Sequence, residues 1–156
     1  MALEIERKFL VKKNLWQPQV KGEKLIQGYL TNAKEKASVR VRLNGTQAYL
    51  SVKGLRGADL ISRLEYEYPI PPSDAQEMLE NFAGQVIEKI RYTQTLQGCI
   101  WEVDEFLGAN AGLLVAEIEL QAPDQEFYRP EWLGAEVSSD YRYLNSYLAE
   151  HPYTSW

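Results

Sequence analysis

The sequence predicts a mainly β domain of the α+β class, an eight-stranded antiparallel closed barrel with a few flanking helices. Eight segments alternate apolar and polar side chains with period two, the pattern of half-buried strands. Short turn-forming pieces such as Asn44-Gly45 and Gln97-Gly98 separate them, and Asn-Gly between alternating runs is a strong hairpin signal. Closure into a barrel removes the vulnerable edges that an open sheet of eight strands would leave.

In the first segment, Leu3, Ile5, Phe9 and Val11 alternate with Glu4, Glu6 and Lys8. Ile26 to Leu30 forms a short strand of low charge. Val39, Val41 and Leu43 then oppose Arg40 and Arg42, and Leu50 and Val52 oppose Tyr49, Ser51 and Lys53. Gly54 to Asp59, with two glycines, reads as a mobile loop. Leu64, Tyr66, Tyr68 and Ile70 oppose Arg63, Glu65 and Glu67. After the Pro71-Pro72 breaker, Ser73 to Gln76 reads as a capping box. It opens a helix whose apolar residues are Met78, Leu79 and Phe82. Val86, Ile90 and Tyr92 oppose Ile87, Lys89 and Arg91, and Trp101 and Val103 oppose Glu102 and Asp104. Leu114, Ala116, Ile118 and Leu120 oppose Val115, Glu117, Glu119 and Gln121. A short helical turn is expected at Asp124 to Tyr128. A second helix is expected from Tyr141 to Glu150, striped by Leu144, Tyr147 and Leu148. No repeat or linker divides the chain, so residues 1–156 form one domain.

At 156 residues the chain is long enough to bury a core without staples, and its one cysteine, Cys99, excludes an internal disulfide framework. With 17 basic against 22 acidic residues the net charge is −5, which argues against non-specific nucleic-acid binding. No stretch approaches the ~20 apolar residues of a membrane span, and the charged opening residues do not form a signal peptide. The expectation is a cytoplasmic protein without nucleic-acid or membrane partners, with a homodimer as one option for its assembly.

The polar faces are unusual. Their residues come in like-signed pairs: Glu4/Glu6, Arg40/Arg42, Lys89/Arg91, Glu102/Asp104 and Glu117/Glu119. Like charges two apart on one strand face stand roughly 7 Å apart and repel each other. On any single strand such a face is ordinarily just solvated. Repeated over most of the strands, the pattern predicts that the charged faces turn inward and line a narrow bore, while the apolar faces are covered from outside. The acids Glu4, Glu6, Asp104, Glu117 and Glu119 are the hard oxygen ligands that Mg²⁺ or Mn²⁺ prefers. Lys8, Arg40, Arg42, Lys53, Arg63, Lys89 and Arg91 are suited to phosphate, guanidinium in a planar, bidentate way. Two such walls fit a short polyanion such as a triphosphate.

The run Glu4-Ile5-Glu6-Arg7-Lys8 resembles the opening motif of the CYTH superfamily, the triphosphate tunnel metalloenzymes. The resemblance continues through Gln27-Gly28-Tyr29-Leu30, Arg40-Val41-Arg42, Lys53, Arg63 with Glu65-Tyr66-Glu67, Glu88 to Tyr92, Asp104, Glu117-Ile118-Glu119 and Arg142-Tyr143-x-Asn145. It looks most like the short bacterial branch associated with inorganic triphosphatase activity. The resemblance implies an eight-stranded tunnel and hydrolysis of tripolyphosphate with Mg²⁺ or Mn²⁺. By that likeness Glu4, Glu6, Asp104, Glu117 and Glu119 would bind metal. Glu4, Glu6, Lys8, Glu117 and Glu119 would form the catalytic set. Lys8, Arg40, Arg42, Lys53, Arg63, Lys89, Arg91 and Arg142 would hold the phosphates, and Glu65 and Glu67 would orient basic residues. The chain departs from the branch at Tyr141, where a lysine would precede Arg142 and Tyr143.

Adenylate cyclase, thiamine triphosphatase and nucleoside triphosphatase chemistry are alternatives within that superfamily. A non-catalytic triphosphate- or polyphosphate-binding module is the alternative from another class, although two Glu-x-Glu pairs would then be surplus, since uncovered acids weaken anion binding. His151 reads as a surface residue and Cys99 as a small buried hydrophobe. Arg56, between Gly54 and Gly57, reads as an exposed loop arginine, the alternative being that it reaches an entering substrate.

Overall fold

A computed structural model describes residues 3–32 and 34–156. Nine strands form in chain order: β1 (Leu3–Val11), β2 (Glu23–Tyr29), β3 (Ala37–Asn44), β4 (Gln47–Gly54), β5 (Ser62–Ile70), β6 (Ile87–Leu96), β7 (Cys99–Phe106), β8 (Leu114–Glu119) and β9 (Leu133–Glu136). Helix α1 (Pro72–Asn81) lies between β5 and β6, and α2 (Asn145–Glu150) follows β9. The sheet runs β5-β4-β3-β2-β6-β7-β8-β1-β9, and an additional β5–β1 pairing closes its first eight members into a barrel. Every pairing is antiparallel. The β6–β7 hairpin turns on Gln97 and Gly98, both at positive φ, as a tight primed turn requires. No helix among the described residues is long and apolar enough to cross a membrane.

The apolar faces are covered from outside. Over β1, β7 and β8, Phe9, Trp101, Val103 and Ile118 are buried under the segments before β2 and after β8. Trp101 meets Phe9, Phe127 and Trp132 edge-on, with ring centroids 5.6–6.0 Å apart, an arrangement that aromatic quadrupoles favour. Helix α1 seats Ala75 against Val41 and Ala48 on β3 and β4. Helix α2 presses Leu148 and Ala149 onto Ile87, Phe106 and Val115. By strand parity those three face the bore, on the same side as Lys89, Asp104 and Glu117. One end of the bore is therefore stopped by an apolar plug instead of running charged throughout.

Several local expectations need correction. Ser73 does not cap α1; the helix starts from Pro71 with Pro72 in its first turn, where a missing N–H costs nothing. Phe82 falls just past the helix end and is 69% exposed, so it is not part of the packed stripe. The helix expected from Tyr141 to Glu150 is split. A 3₁₀ turn covers Tyr141–Tyr143, Leu144 is extended, and only six residues of α2 follow. The Tyr143 carbonyl accepts from the Lys8 ammonium at 3.0 Å, so the interior of the barrel takes an acceptor that a continuous helix would have used. The helical turn expected at Asp124 to Tyr128 does not form: a turn covers Pro123 and Asp124, and Gln125 to Tyr128 is irregular, with Phe127 packed edge-on against Phe9 and Trp101.

Strand β9 escapes a period-two reading because it has four residues, one of them Gly134. A side chain there would meet the Leu10 carbonyl, with Cβ only 2.8 Å from the oxygen, so glycine permits this close strand approach. The Gly54–Asp59 loop is also more tied than two glycines imply. Gly57 N–H donates to the Ser62 carbonyl, and Asp59 accepts from the N–H groups of Ile61 and Ser62.

Candidate active site

Because β-strand side chains alternate, the residues of one parity on β1, β3, β4, β5, β6, β7 and β8 share the bore. They line a cavity of about 450 Å³. Glu4, Glu6 and Lys8 come from β1, Glu117 and Glu119 from β8, and Glu102 from β7. Arg40 and Arg42 come from β3, Lys53 from β4, Arg63, Glu65 and Glu67 from β5, and Lys89 and Arg91 from β6. Tyr29, Leu144 and Asn145 also reach it, the last two from the segment that opens α2.

Most of these charges are paired. Lys53 donates to Glu4 at 2.9 Å and stands 3.3 Å from Glu65. Arg40 lies within 3.7 Å of both Glu65 and Glu67, and Ser51 bridges it to Glu67. Lys8 stands 3.5 Å from Glu117, and Arg63 stands 3.8 Å from Glu4. Arg91 reaches Glu102 at 2.7 Å and Glu117 at 3.6 Å.

Asp104 is placed differently from the other acids. It is fully buried behind Lys89 and Arg91 and does not line the cavity. One carboxylate oxygen accepts from Arg91 Nε at 2.7 Å; the other accepts from Arg91 Nη2 and lies 2.8 Å from Lys89 Nζ. Both oxygens are committed to cations, so the structure sets Asp104 beneath the basic wall and apart from the acidic one. Arg142 is also apart from the site. Its guanidinium pairs with Asp140 at 2.7 Å on the outer surface and lies over the Trp156 ring.

Three lining charges have no opposite charge within 4 Å among the described residues. Two are carboxylates, Glu6 and Glu119, which stand opposite each other across the β1–β8 ladder. The third is Arg42, whose Nε donates only to Gln27, at 3.3 Å. The electrostatics of Glu6 and Arg42 reflect this. Enclosure in the barrel pushes Glu6 up to about 8, and the nearby Glu117 charge adds to the shift. Burial, with repulsion from Arg40 and Arg91, brings Arg42 down to about 10. Glu117 behaves oppositely: Lys8, Arg91 and Lys89 hold its carboxyl well below the usual range in spite of burial. Burial pulls Lys89 down to about 7 even though Asp104 resists.

Two polar residues of the quoted motifs to which the sequence assigns no role, Asn145 and Gln27, also contribute. Asn145 Oδ1 accepts from Lys89 Nζ at 2.9 Å and from Gln27 Nε2 at 3.0 Å. Gln27 in turn orients Arg42, so the start of α2 is wired to the basic wall through two amides. Arg56 is not a free surface arginine. It is half-buried, and its guanidinium donates to the Ser138 carbonyl.

The arrangement offers hard oxygen donors on one side of the cavity and phosphate-directed donors on the other. Among the described residues no three carboxylates converge as a ready-made metal cage. The oxygen chemistry of Glu6 and Glu119 nevertheless fits a small divalent cation, because both line the cavity as hard oxygen donors with no basic partner within 4 Å among the described residues.

Comparison with known proteins agrees with this layout. The CYTH domain pattern matches residues 2–151. Over 157 aligned residues the chain is 48% identical to an inorganic triphosphatase of Acetivibrio thermocellus, covering 100% of this chain and 99% of that protein. It is 36% identical to an inorganic triphosphatase of Nitrosomonas europaea, over 94% of this chain and 96% of that one. A crystal structure of the inorganic triphosphatase NE1496 superposes with a TM-score of 0.68 at 34% identity, covering 96% and 95% of the two chains. A putative adenylate cyclase from Bacillus halodurans shares the fold, with a TM-score of 0.65 at 16% identity over 80% and 84% of the chains.

Proposed function

As the chain belongs to the CYTH domain family, we propose that its tunnel hydrolyses inorganic triphosphate with the help of a divalent cation, Mg²⁺ or Mn²⁺. The observation that carries this reading is the separation of the unpaired charges. Glu6 and Glu119 leave cation-seeking oxygens on one wall, and Arg42 leaves an anion-seeking guanidinium on the other. The relatives named inorganic triphosphatase support the reading. The lining favours a substrate that is charged along its whole length over one carrying a base or ring, since its apolar members are few: Leu3, Tyr29 and Leu144.

In this reading Glu6 and Glu119, with Glu4 and Glu117 beside them, hold the cation, which when bound neutralises phosphate charge and acidifies water. The chain's own residues do the rest. Arg42, Arg40 and Arg91 orient the phosphates and stabilise charge on the departing group, so catalysis is mostly positioning and electrostatics. Lys53 and Arg63 lock Glu4 in place. Glu65 and Glu67 fix Arg40 and Lys53. Lys89 Nζ, held by Asn145 and Asp104 and pulled down to about 7, is matched to receiving a proton from attacking water near neutral pH. The expected experiment is phosphate release from tripolyphosphate with Mg²⁺ or Mn²⁺ that stops on adding chelator. Tight binding without phosphate release would make the tunnel a binding module instead.

A further inference from the structure

Along one edge of β1 the neighbouring strand changes. From Leu3 to Ile5 the partner is β5, and Glu6 N–H still donates to the Ile61 carbonyl just before it. At Lys8 the partner becomes the segment after β9: Val137 N–H donates to the Lys8 carbonyl, and Lys8 N–H donates to Ser138 Oγ at 2.9 Å. A seam therefore opens in the tunnel wall between Glu6 and Lys8. The side chain that spans it is Arg56. It reaches from the β4–β5 loop to the Ser138 carbonyl, half-buried between the exposed Leu55 and Gly57.

Two further observations distinguish this arginine from a structural strap. Around the acidic wall, Lys8, Lys53 and Arg63 are each committed to Glu117 or Glu4, whereas Arg56 has no carboxylate partner among the described residues. A guanidinium also carries five donors in a planar fork, and a single carbonyl uses only part of that capacity. The loop beneath it is pinned by Asp59 and by the Gly57–Ser62 hydrogen bond, so its side chain can turn without the loop unfolding.

We propose that Arg56 is a substrate-binding residue that exchanges the Ser138 carbonyl for a terminal phosphate of an inorganic polyphosphate at the acidic end of the tunnel. The exchange is favourable because a phosphate carries the opposite charge and can take two parallel N–H···O bonds from the guanidinium fork, whereas the Ser138 carbonyl is neutral and accepts from one guanidinium nitrogen. This inference rests on the triphosphatase reading above, and it adds a cation from outside the strand motifs.

The test is steady-state kinetics with inorganic tripolyphosphate and Mg²⁺ or Mn²⁺ for the parent, Arg56→Ala and Arg56→Lys, alongside thermal melting. Arg56→Ala should raise KM about tenfold, leave kcat within about twofold and hold Tm within about 2 °C, with Arg56→Lys recovering part of the KM. An unchanged KM in Arg56→Ala overturns the proposal. So does a KM rise that accompanies a large fall in Tm and is not reversed by lysine. If the parent itself releases no phosphate, the triphosphatase reading fails separately. Arg56 is then judged by calorimetric titration with tripolyphosphate, where parental affinity in Arg56→Ala sinks it.

Discussion

Glu6 on β1 and Glu119 on β8 face each other across the ladder, and neither has a basic side chain within 4 Å among the described residues. Burial disfavours the charged form of Glu6, and opposed carboxylates destabilise a strand pair once both are ionised, so Glu6 opposes folding of the metal-free protein. Glu6→Gln and Glu119→Gln should each reduce phosphate release about 100-fold or more if the pair holds the cation. Each should also raise the metal-free Tm by a few degrees. Melting with chelator and with excess Mg²⁺ or Mn²⁺ checks this: the cation should stabilise the parent more than either variant. Equal cation-induced shifts in all three proteins would place the ion elsewhere.

Glu6 alone sets a pH dependence. Glu6 moves from an ordinary value of 4.5 up to about 8, chiefly through burial and then through Glu117. Between those values the unfolded chain has released the proton while the folded one keeps it, so Glu6 lowers stability progressively as pH rises from about 4.5 to 8. The Tm advantage of Glu6→Gln over the parent, measured with chelator, should be small at pH 5 and grow to several degrees at pH 8. A difference independent of pH would show that the carboxyl does not titrate in that window.

The barrel was legible because period-two alternation survives in every strand that lines it, and the inward turn of the charges followed from their like-signed pairing. Eight strands fit that pattern; β9 did not, since four residues with a glycine at the point of closest approach give no alternation. Partnership was the part that could not be read. Glu102 and Asp104 share one strand face in the sequence, yet one reaches the cavity and the other is buried under Lys89 and Arg91. That distinction depends on which strand lies alongside, through the Arg91–Asp104 register of β6 and β7. Arg142 looked like a phosphate ligand because of its motif, but Asp140, two residues earlier, holds it on the outside. Arg56 lacked any strand context, and only the seam in β1's pairing gives it a place.

Lys89 separates two roles that a lysine can play on a phosphate wall. Burial pulls it down to about 7, and Asn145 holds its Nζ at 2.9 Å. Lys89→Arg preserves the cation and removes the titration, because a guanidinium stays protonated in proteins. If Lys89 receives a proton from water, kcat should fall about 100-fold while KM moves little, and the limb of the pH–rate profile near 7 should disappear. Retention of parental kcat in Lys89→Arg would leave Lys89 as a phosphate-holding cation alone.

Asp104 is the counter-charge on which the basic wall rests. With no exposure to solvent, it neutralises Lys89 and holds Arg91 through two hydrogen bonds. Asp104→Asn would leave the buried Arg91 guanidinium without its carboxylate partner and Lys89 without the charge that resists loss of its proton. Breaking a buried pair from one side costs about 3–5 kcal/mol, equivalent to a fall in Tm of about 10 °C for a domain of this size. Inorganic tripolyphosphate should return part of that loss, since it supplies negative charge to the same cations from the cavity side. Melting of Asp104→Asn with and without tripolyphosphate decides the matter. A variant with parental Tm and no activity would instead make Asp104 a ligand of the cation, reached from the acidic wall by a rearrangement of Arg91.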